Sequence, residues 1–209
     1  MAKQQERAER TRRALIEAAA AEIDRNGYDR TSLVRICQLA RISMGALTFH
    51  FPSKGELADE ISQLGGEATR AAVGRVSVSE LPELHVVVEL TLALARLLEE
   101  DARVRSAARL ARERPGAAEP WIGSWLPAVR DLLARAGEDG QLRAGAAPGA
   151  VAALVVYVMA GVEAYVRAVA ADGPGGCPGG WEPGQAGDAA AKLDLIWELV
   201  LHGIEAEPD

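Results

Sequence analysis

The sequence predicts an all-α protein, and three observations predict it. Ala, Leu and Val do most of the apolar filling, since 49% of residues are apolar but only 4% are aromatic, and Ala and Leu head the helix-propensity ranking. Apolar residues recur at spacings of three and four, while Val/Ile/Thr alternation of the kind that strands use is scarce. Capping residues and Gly/Pro breaks punctuate the chain at intervals suited to helices. At 209 residues the chain holds one large or two small domains.

A first helix is expected from near Glu6 to Asn26, with Leu15, Ile16, Ala19 and Ile23 inward and Gly27 just past its end. Thr31 and Ser32 suit the N-cap of a second helix, in which Leu33, Ile36, Leu39 and Ala40 share a face. Arg41-Ile42-Ser43 is too short and polar to prolong it. Ser43 can cap a third helix carrying Gly45 to Phe49, with Ala46, Leu47 and Phe49 on its inward side. Ser53-Lys54-Gly55-Glu56 fits a capping box. The helix it opens continues through Leu57, Ile61 and Leu64, with Gly65-Gly66 softening its middle. After a polar break from Ser77 to Pro82, Leu84, Val87, Val88, Thr91, Leu92, Ala95 and Leu98 mark another helix. A shorter one over 101–114 ends at Arg114-Pro115-Gly116. The next, from Pro120 to Gly137, contains Pro127, which either sits early or kinks it. Two strongly apolar helices remain, Pro148 to Ala171 and Asp188 to Glu205. Between them DGPGGCPGGWEPGQAG is too rich in Gly and Pro for regular structure.

The formal charge of −7 argues against a nucleic-acid binder until its distribution is considered. Residues 1–55 carry ten Lys/Arg against six Asp/Glu, a balance of +4, so residues 56–209 hold −11. A basic module on an acidic body is expected when only one end meets phosphates. Cys37 and Cys177 are the only cysteines. One lies in the second helix, where a buried inert thiol is expected, and the other in the Gly/Pro loop, where an exposed one is. They suggest neither a disulfide framework nor a metal site. The charged N-terminus lacks the apolar core of a signal peptide. The longest apolar stretch, Val151 to Ala160, is shorter than the roughly 20 residues a membrane span needs. A cytoplasmic protein without membrane attachment is expected.

Two short helices joined by a turn of about three residues form a helix-turn-helix, whose second helix enters the DNA major groove. On spacing alone an ordinary helical hairpin fits equally well. The segment resembles the N-terminal DNA-binding domain of the TetR family of transcriptional regulators, and within it the γ-butyrolactone receptors of actinomycetes. The residues that carry the likeness are Gly27-Tyr28, Thr31-Ser32, Gly45-Ala46-Leu47, Phe49-His50-Phe51, Lys54 and Glu56-Leu57. A weaker likeness runs through Ala95-Arg96-Leu97 and Val104 to Leu110 to Trp125. The resemblance implies a DNA-binding domain over residues 1–55 and a ligand-binding and dimerisation domain over 56–209.

Candidate DNA-binding residues are Thr31, Arg41, Ser43, Met44, Gly45, Thr48, His50 and Lys54. Gly45 leaves room for close approach, Thr48 offers a methyl or a hydroxyl to a base, and His50 and Lys54 stand where phosphates would pass. His50 reads equally well as a structural histidine, and Arg12, Arg13 and Arg41 as solvated charges. The relatives usually carry Lys where this chain has Met44, Tyr where it has Thr48, and Gly where Arg41 stands. They often carry an acid at the place of Arg35. A non-Gly residue in that turn implies a positive φ or a reshaped turn.

Trp121 and Trp125, four apart, are expected on one side of a helix. By resemblance Trp125, or second to it Trp121, matches the tryptophan that lines the lactone pocket of the receptors. The alternative is that both are core residues. Thr91, Gln141 and Tyr157 are further polar candidates for that pocket. The last two helices are expected either to pack within one subunit or to form a four-helix interface with a second copy, where Ala153, Ala160, Gly161 and Ala164 permit close approach. A homodimer suits a pseudo-palindromic double-stranded operator. The histidines His50, His85 and His202 are scattered, and no nucleophile elbow, P-loop, dinucleotide fingerprint or metal-ligand spacing occurs. Neither an enzyme nor a cofactor is expected. The expected function is a repressor released from DNA by a small signalling molecule of γ-butyrolactone, furan or butenolide type. The rivals are a related regulator that senses an antibiotic or no ligand, and a helical dimer that acts through protein contacts.

Overall fold

The computed structural model describes residues 2–116, 121–172 and 189–206. Among them the chain forms α1 (Ala2–Asn26), α2 (Leu33–Ala40), α3 (Met44–His50), α4 (Lys54–Val76), α5 (Glu83–Glu100), α6 (Ala102–Glu113), α7 (Leu126–Glu138), α8 (Pro148–Asp172) and α9 (Ala189–Ile204). A single 3-10 turn, Trp121–Ser124, precedes α7. The only pairing of strand type among the described residues is an isolated antiparallel bridge between Leu142 and Glu205. The Gly/Pro segment with Cys177 lies outside the described residues.

Two compact units result. The first comprises Met1–Gly66 with Asp101–Trp121, and the second Glu67–Glu100 with Ile122–Asp209. The first is held by Leu15, Ile23, Ile36, Leu47, Leu57 and Ile61, each at most 1% exposed, joined by Leu110 from α6. Helix α1 packs on α2, α3 and α6. Its end follows from Gly27, whose φ of +82° is open to glycine at no steric cost. Gly65 does not soften α4, which runs unbroken. A Cβ there would lie 2.5 Å from the Ala107 Cβ and 2.8 Å from the Arg103 carbonyl oxygen, so the glycine permits close packing of α4 on α6. The buried Ser106 hydroxyl donates to the Ala20 carbonyl at 2.7 Å, fixing α6 to α1.

In the second unit α5 packs against α7, α8 and α9, and Leu84, Val87, Leu90, Leu94 and Leu98 are fully buried. Gln141 accepts the Leu84 N–H at 3.0 Å and donates to Glu83, closing the first turn of α5. The Gln141 side chain first, and then the backbone N–H of Glu83 itself, hold the Glu83 carboxyl below its ordinary pKa. Pro127 stands in the first turn of α7, where its missing N–H costs nothing. The helix predicted from Pro120 therefore begins only at Leu126. Helix α8 is longer than the apolar stretch the sequence suggests: an 18-residue window within Pro148–Ala170 has a mean hydropathy of 1.8, enough to span a membrane by length and composition alone. Its inner residues Val151, Val155, Met159 and Val166 are buried in the unit, and its buried Glu163 pairs with Arg167 at 2.7 Å. Those are the properties of a core helix.

Candidate nucleic-acid interface

Helices α2 and α3 meet through a turn that follows from its residues. Ser32 accepts the Arg35 N–H at 3.2 Å and caps α2. Arg41 then takes φ 56°, ψ 41°, the left-handed conformation, and is the only described non-Gly residue with positive φ. The Arg41 N–H reaches the Gln38 carbonyl at 3.3 Å and the Ile42 N–H the Cys37 carbonyl at 3.0 Å, the paired bonds of a Schellman motif. Ile42 packs half-buried against the core. Ser43 accepts the Ala46 N–H at 3.3 Å and starts α3. The turn expected to need glycine is thus kept in glycine's geometry by an arginine, at a cost on the order of 1 kcal/mol. Cys37 is buried, and burial pushes its thiol pKa up.

The inward residues of this pair are Ile36, Cys37, Leu47 and Phe51. Two inward assignments made from sequence do not hold. Leu39 is 51% exposed, because the inner stripe of α2 is Leu33, Ile36, Cys37 and Ala40, and Leu39 lies about 110° from its centre. Phe49 is 80% exposed. Leu47 and Phe51 occupy the inner face, and a residue two positions from each points the opposite way. Ser43, Met44, Gly45 and Thr48 are exposed as well. A Cβ on Gly45 would meet nothing within 4 Å, so no contact inside the protein requires this glycine. The Thr48 hydroxyl donates to the Gly45 carbonyl at 3.2 Å. His50 is half-buried, its ring 5.2 Å edge-on from Phe49 and 6.5 Å from Phe51.

Other candidates are engaged inside the first unit. Thr31 is 3% exposed and its hydroxyl donates to the Gly27 carbonyl at 2.6 Å, bracing the entry to α2 instead of facing outward. Arg35 pairs at 2.9 Å with the buried Glu22. Arg12 pairs at 2.6 Å with Glu60 and stands 5.4 Å over the Phe51 ring. Arg13 and Arg41 remain exposed.

Lys54 is engaged most of all. Its ammonium donates to the Tyr28 carbonyl at 3.0 Å and the Thr31 carbonyl at 3.1 Å, and lies 4.3 Å over the Tyr28 ring. The Arg114 guanidinium also lies over the Tyr28 ring, at 4.8 Å, while donating to Asp59 at 2.6 Å. The Tyr28 N–H donates to Glu113 at 2.6 Å, Arg109 binds both Glu113 and the Asp24 carbonyl, and Arg105 pairs with Asp24. Burial raises the Glu113 carboxyl, but the Arg109 side chain and the Tyr28 N–H outweigh it and hold the group below its ordinary pKa. Tyr28 thus joins the start of α4 and the end of α6 to the α1–α2 turn. Reading the sequence missed this node, since Arg109, Glu113 and Arg114 lie far along the chain. At α4 itself the capping box is half realised: Ser53 accepts the Glu56 N–H at 3.1 Å, and the Glu56 carboxylate meets the Ser53 hydroxyl.

The ligand candidates fall in separate places. Trp125 is 2% exposed at the entrance to α7. Trp121 is buried in the preceding 3-10 turn and belongs to the first unit, so the two do not share one helix face. Thr91 is fully buried, donates to the Val88 carbonyl at 2.8 Å and accepts from the Trp197 indole at 2.7 Å. Tyr157 is 75% exposed, at the rim of a groove of ≈ 510 Å³ lined by Ile122, Leu126, Arg130, Ala152 and Val156. A second groove, ≈ 270 Å³, lies between Val158, Val162 and Tyr165 of α8 and Leu193 and Ile196 of α9. Trp125 lines neither.

A helix-turn-helix with its second helix exposed, on a basic sequence module, defines the class: a DNA-binding-type regulatory fold. Residues 15–61 match the profile of the bacterial regulatory proteins of the tetR family. The A-factor receptor protein of Streptomyces griseus is 32% identical over 165 residues, 78% of this chain and 57% of that one. The chain thus spans about half the length of the curated relatives it matches. CprB from Streptomyces coelicolor A3(2) superposes with a TM-score of 0.75 at 26% identity, over 96% of this chain and 91% of that one. A γ-butyrolactone receptor (ArpA-like protein) superposes at 0.73 with 24% identity, over 95% and 90%. Residues 15–61 are thus a domain of the TetR family type.

Proposed function

We propose that the chain is a homodimeric transcriptional repressor that leaves a pseudo-palindromic operator when a small signalling molecule of the γ-butyrolactone, furan or butenolide type binds its C-terminal helices. The observation that carries the DNA-binding part is α3, whose Ser43, Met44, Gly45, Thr48 and Phe49 face outward while Leu47 anchors it. The likeness to the A-factor receptor protein, and to CprB solved in complex with its biological operator sequence at 27% identity and a TM-score of 0.71, supports the rest. Residues 1–55 are the DNA-binding part and 56–209 the ligand-binding and dimerisation part, and the setting is the cytoplasm, where the operator is.

Dimerisation is assigned to α8 and α9. Tyr157 on the first and Leu195, Ile196 and Leu199 on the second are exposed, Leu199 at 78%. Ala153, Ala160, Gly161 and Ala164 are exposed beside them and permit close approach of a second copy. Trp125 is proposed to line the effector site. Release requires that the effector bind the two conformations unequally. A gel-shift series against the DNA upstream of the chain's own coding region, with and without extracts of the producing organism, tests the proposal. The expected result is a retarded duplex that the extract frees. A dimer that retards no duplex refutes it and favours a helical dimer acting through protein contacts.

A further inference from the structure

We infer that α3 reads its half-site chiefly through thymine C5-methyl groups, so that the operator is defined by thymines at the positions under Met44, Thr48 and Phe49. The inference rests on the DNA-reading function proposed above and names what that surface recognises.

The helix Met44–His50 holds no Lys, Arg, Asn, Gln, Asp or Glu, the side chains that distinguish guanine, adenine and cytosine by direct hydrogen bonds. The hydroxyls at hand each have one local bond: Ser43, ahead of the helix, accepts the Ala46 N–H, and Thr48 donates to the Gly45 carbonyl at 3.2 Å. The large side chains the helix leaves exposed are apolar, Met44 at 39% and the Phe49 ring at 80%, with Thr48, which carries a methyl, exposed between them. His50 is half-buried and packs edge-on against that ring. The thymine methyl is the apolar group on a base edge in the major groove, and Phe and Thr are the side chains suited to it. Val34 at 56% and Leu39 at 51% on α2 are exposed apolar residues as well, and exposed apolar residues also suit a protein partner. The charge complementarity selects DNA, because these residues belong to a segment of net +4 with exposed Arg13, Arg30 and Arg41. Those cations supply attraction to phosphates without sequence preference, and the apolar residues of α3 supply the choice of base.

The full chain is used to select duplexes from a random library, and the enriched duplex is resynthesised with deoxyuridine in place of thymidine. Each methyl buried against α3 should account for about fourfold in affinity, the ratio equivalent to about 0.8 kcal/mol per buried CH₂. One methyl in each of two half-sites then gives on the order of 15-fold loss. Phe49→Ala, at an exposed position, should leave the salt dependence of non-specific binding unchanged and reduce the thymine-over-uracil preference. Thr48→Ser, which keeps the hydroxyl and removes only the methyl, should reduce it as well. Enriched duplexes that bind equally well with deoxyuridine overturn the inference and leave DNA reading standing. A library without enrichment overturns the DNA-reading function itself.

Discussion

Lys54→Met separates a phosphate contact from an internal brace, and the structure says which to expect. The ammonium makes two charged hydrogen bonds, at 3.0 and 3.1 Å, to the Tyr28 and Thr31 carbonyls, and a cation–π contact at 4.3 Å. Charged hydrogen bonds contribute about 1.5–3 kcal/mol each and a partly exposed cation–π pair about 0.5–1 kcal/mol. Lys54 is only part-buried, so water replaces some of what is lost, and a net loss on the order of 2–3 kcal/mol is expected. For a domain of under 100 residues that lowers the melting temperature by roughly 10 °C or more. The slope of log affinity against log salt on a non-specific duplex should stay where it was, because no phosphate contact is removed. A lysine that touched a phosphate would instead take about 0.9 off that slope. Calorimetry and fluorescence-anisotropy titrations from 50 to about 200 mM salt read the two quantities independently. A slope reduced by about one with the melting temperature unchanged would refute the internal role of Lys54.

Glu113 contributes stability as a carboxylate, since its folded pKa is depressed. That contribution is present above the unfolded value of about 4.3 and disappears as pH falls through the lower folded value. Glu113→Gln should melt earlier than the parent at pH 7, and the gap should close below about pH 4; a gap that persists in acid speaks against the carboxylate. Ile196→Glu, at an exposed position on α9, should convert a dimer into a monomer in sedimentation, with helical circular dichroism at about 25 °C kept and the melting temperature no longer dependent on protein concentration. A parent that is monomeric at micromolar concentration removes the basis for the interface. Trp125→Ala should cost about 3–5 kcal/mol, as its side chain is almost wholly buried. The milder Trp125→Phe should keep DNA binding and lose both effector release and effector-induced quenching. Unchanged quenching in that variant would make Trp125 a core residue only.

Helix existence and most boundaries were legible because they depend on neighbours in the chain. Ser32 and Ser43 cap the helices they were expected to cap, and Gly27 ends α1 as expected. The 101–114 helix differs from Ala102–Glu113 by one residue at each end, and the 148–171 helix from Pro148–Asp172 by one residue at its C-terminal end. The start of α7 was missed because Trp121 to Ser124 follow helical spacing yet make a 3-10 turn, with Pro127 setting the first helical turn after it. Gly65 was misjudged for a different reason. Its presence is explained by Ala107, 42 positions away, and no local pattern announces a distant close approach.

The candidate interface was legible in outline but not in the assignment of tasks, and the distinction is physical. A polar side chain reaches DNA only through the donors that the protein leaves to it, and that is decided by tertiary geometry. Thr31, Arg35 and Lys54 carry the groups a phosphate would want, and each is engaged by Gly27, by Glu22, or by Tyr28 and Thr31. Phe49 carries the group that belongs in a core, and the core is already supplied by Leu47 and Phe51. Thr31 turns inward, Lys54 is drawn to two carbonyls and the Phe49 ring turns out, which adds apolar area to a surface where Arg35, Gln38 and Arg41 stay exposed. On the inference above, selectivity would come from methyl groups fitting against α3, and affinity from the exposed cations of the module. Changes to α3 should therefore alter which duplex is bound, and changes to the exposed arginines how strongly any duplex is bound.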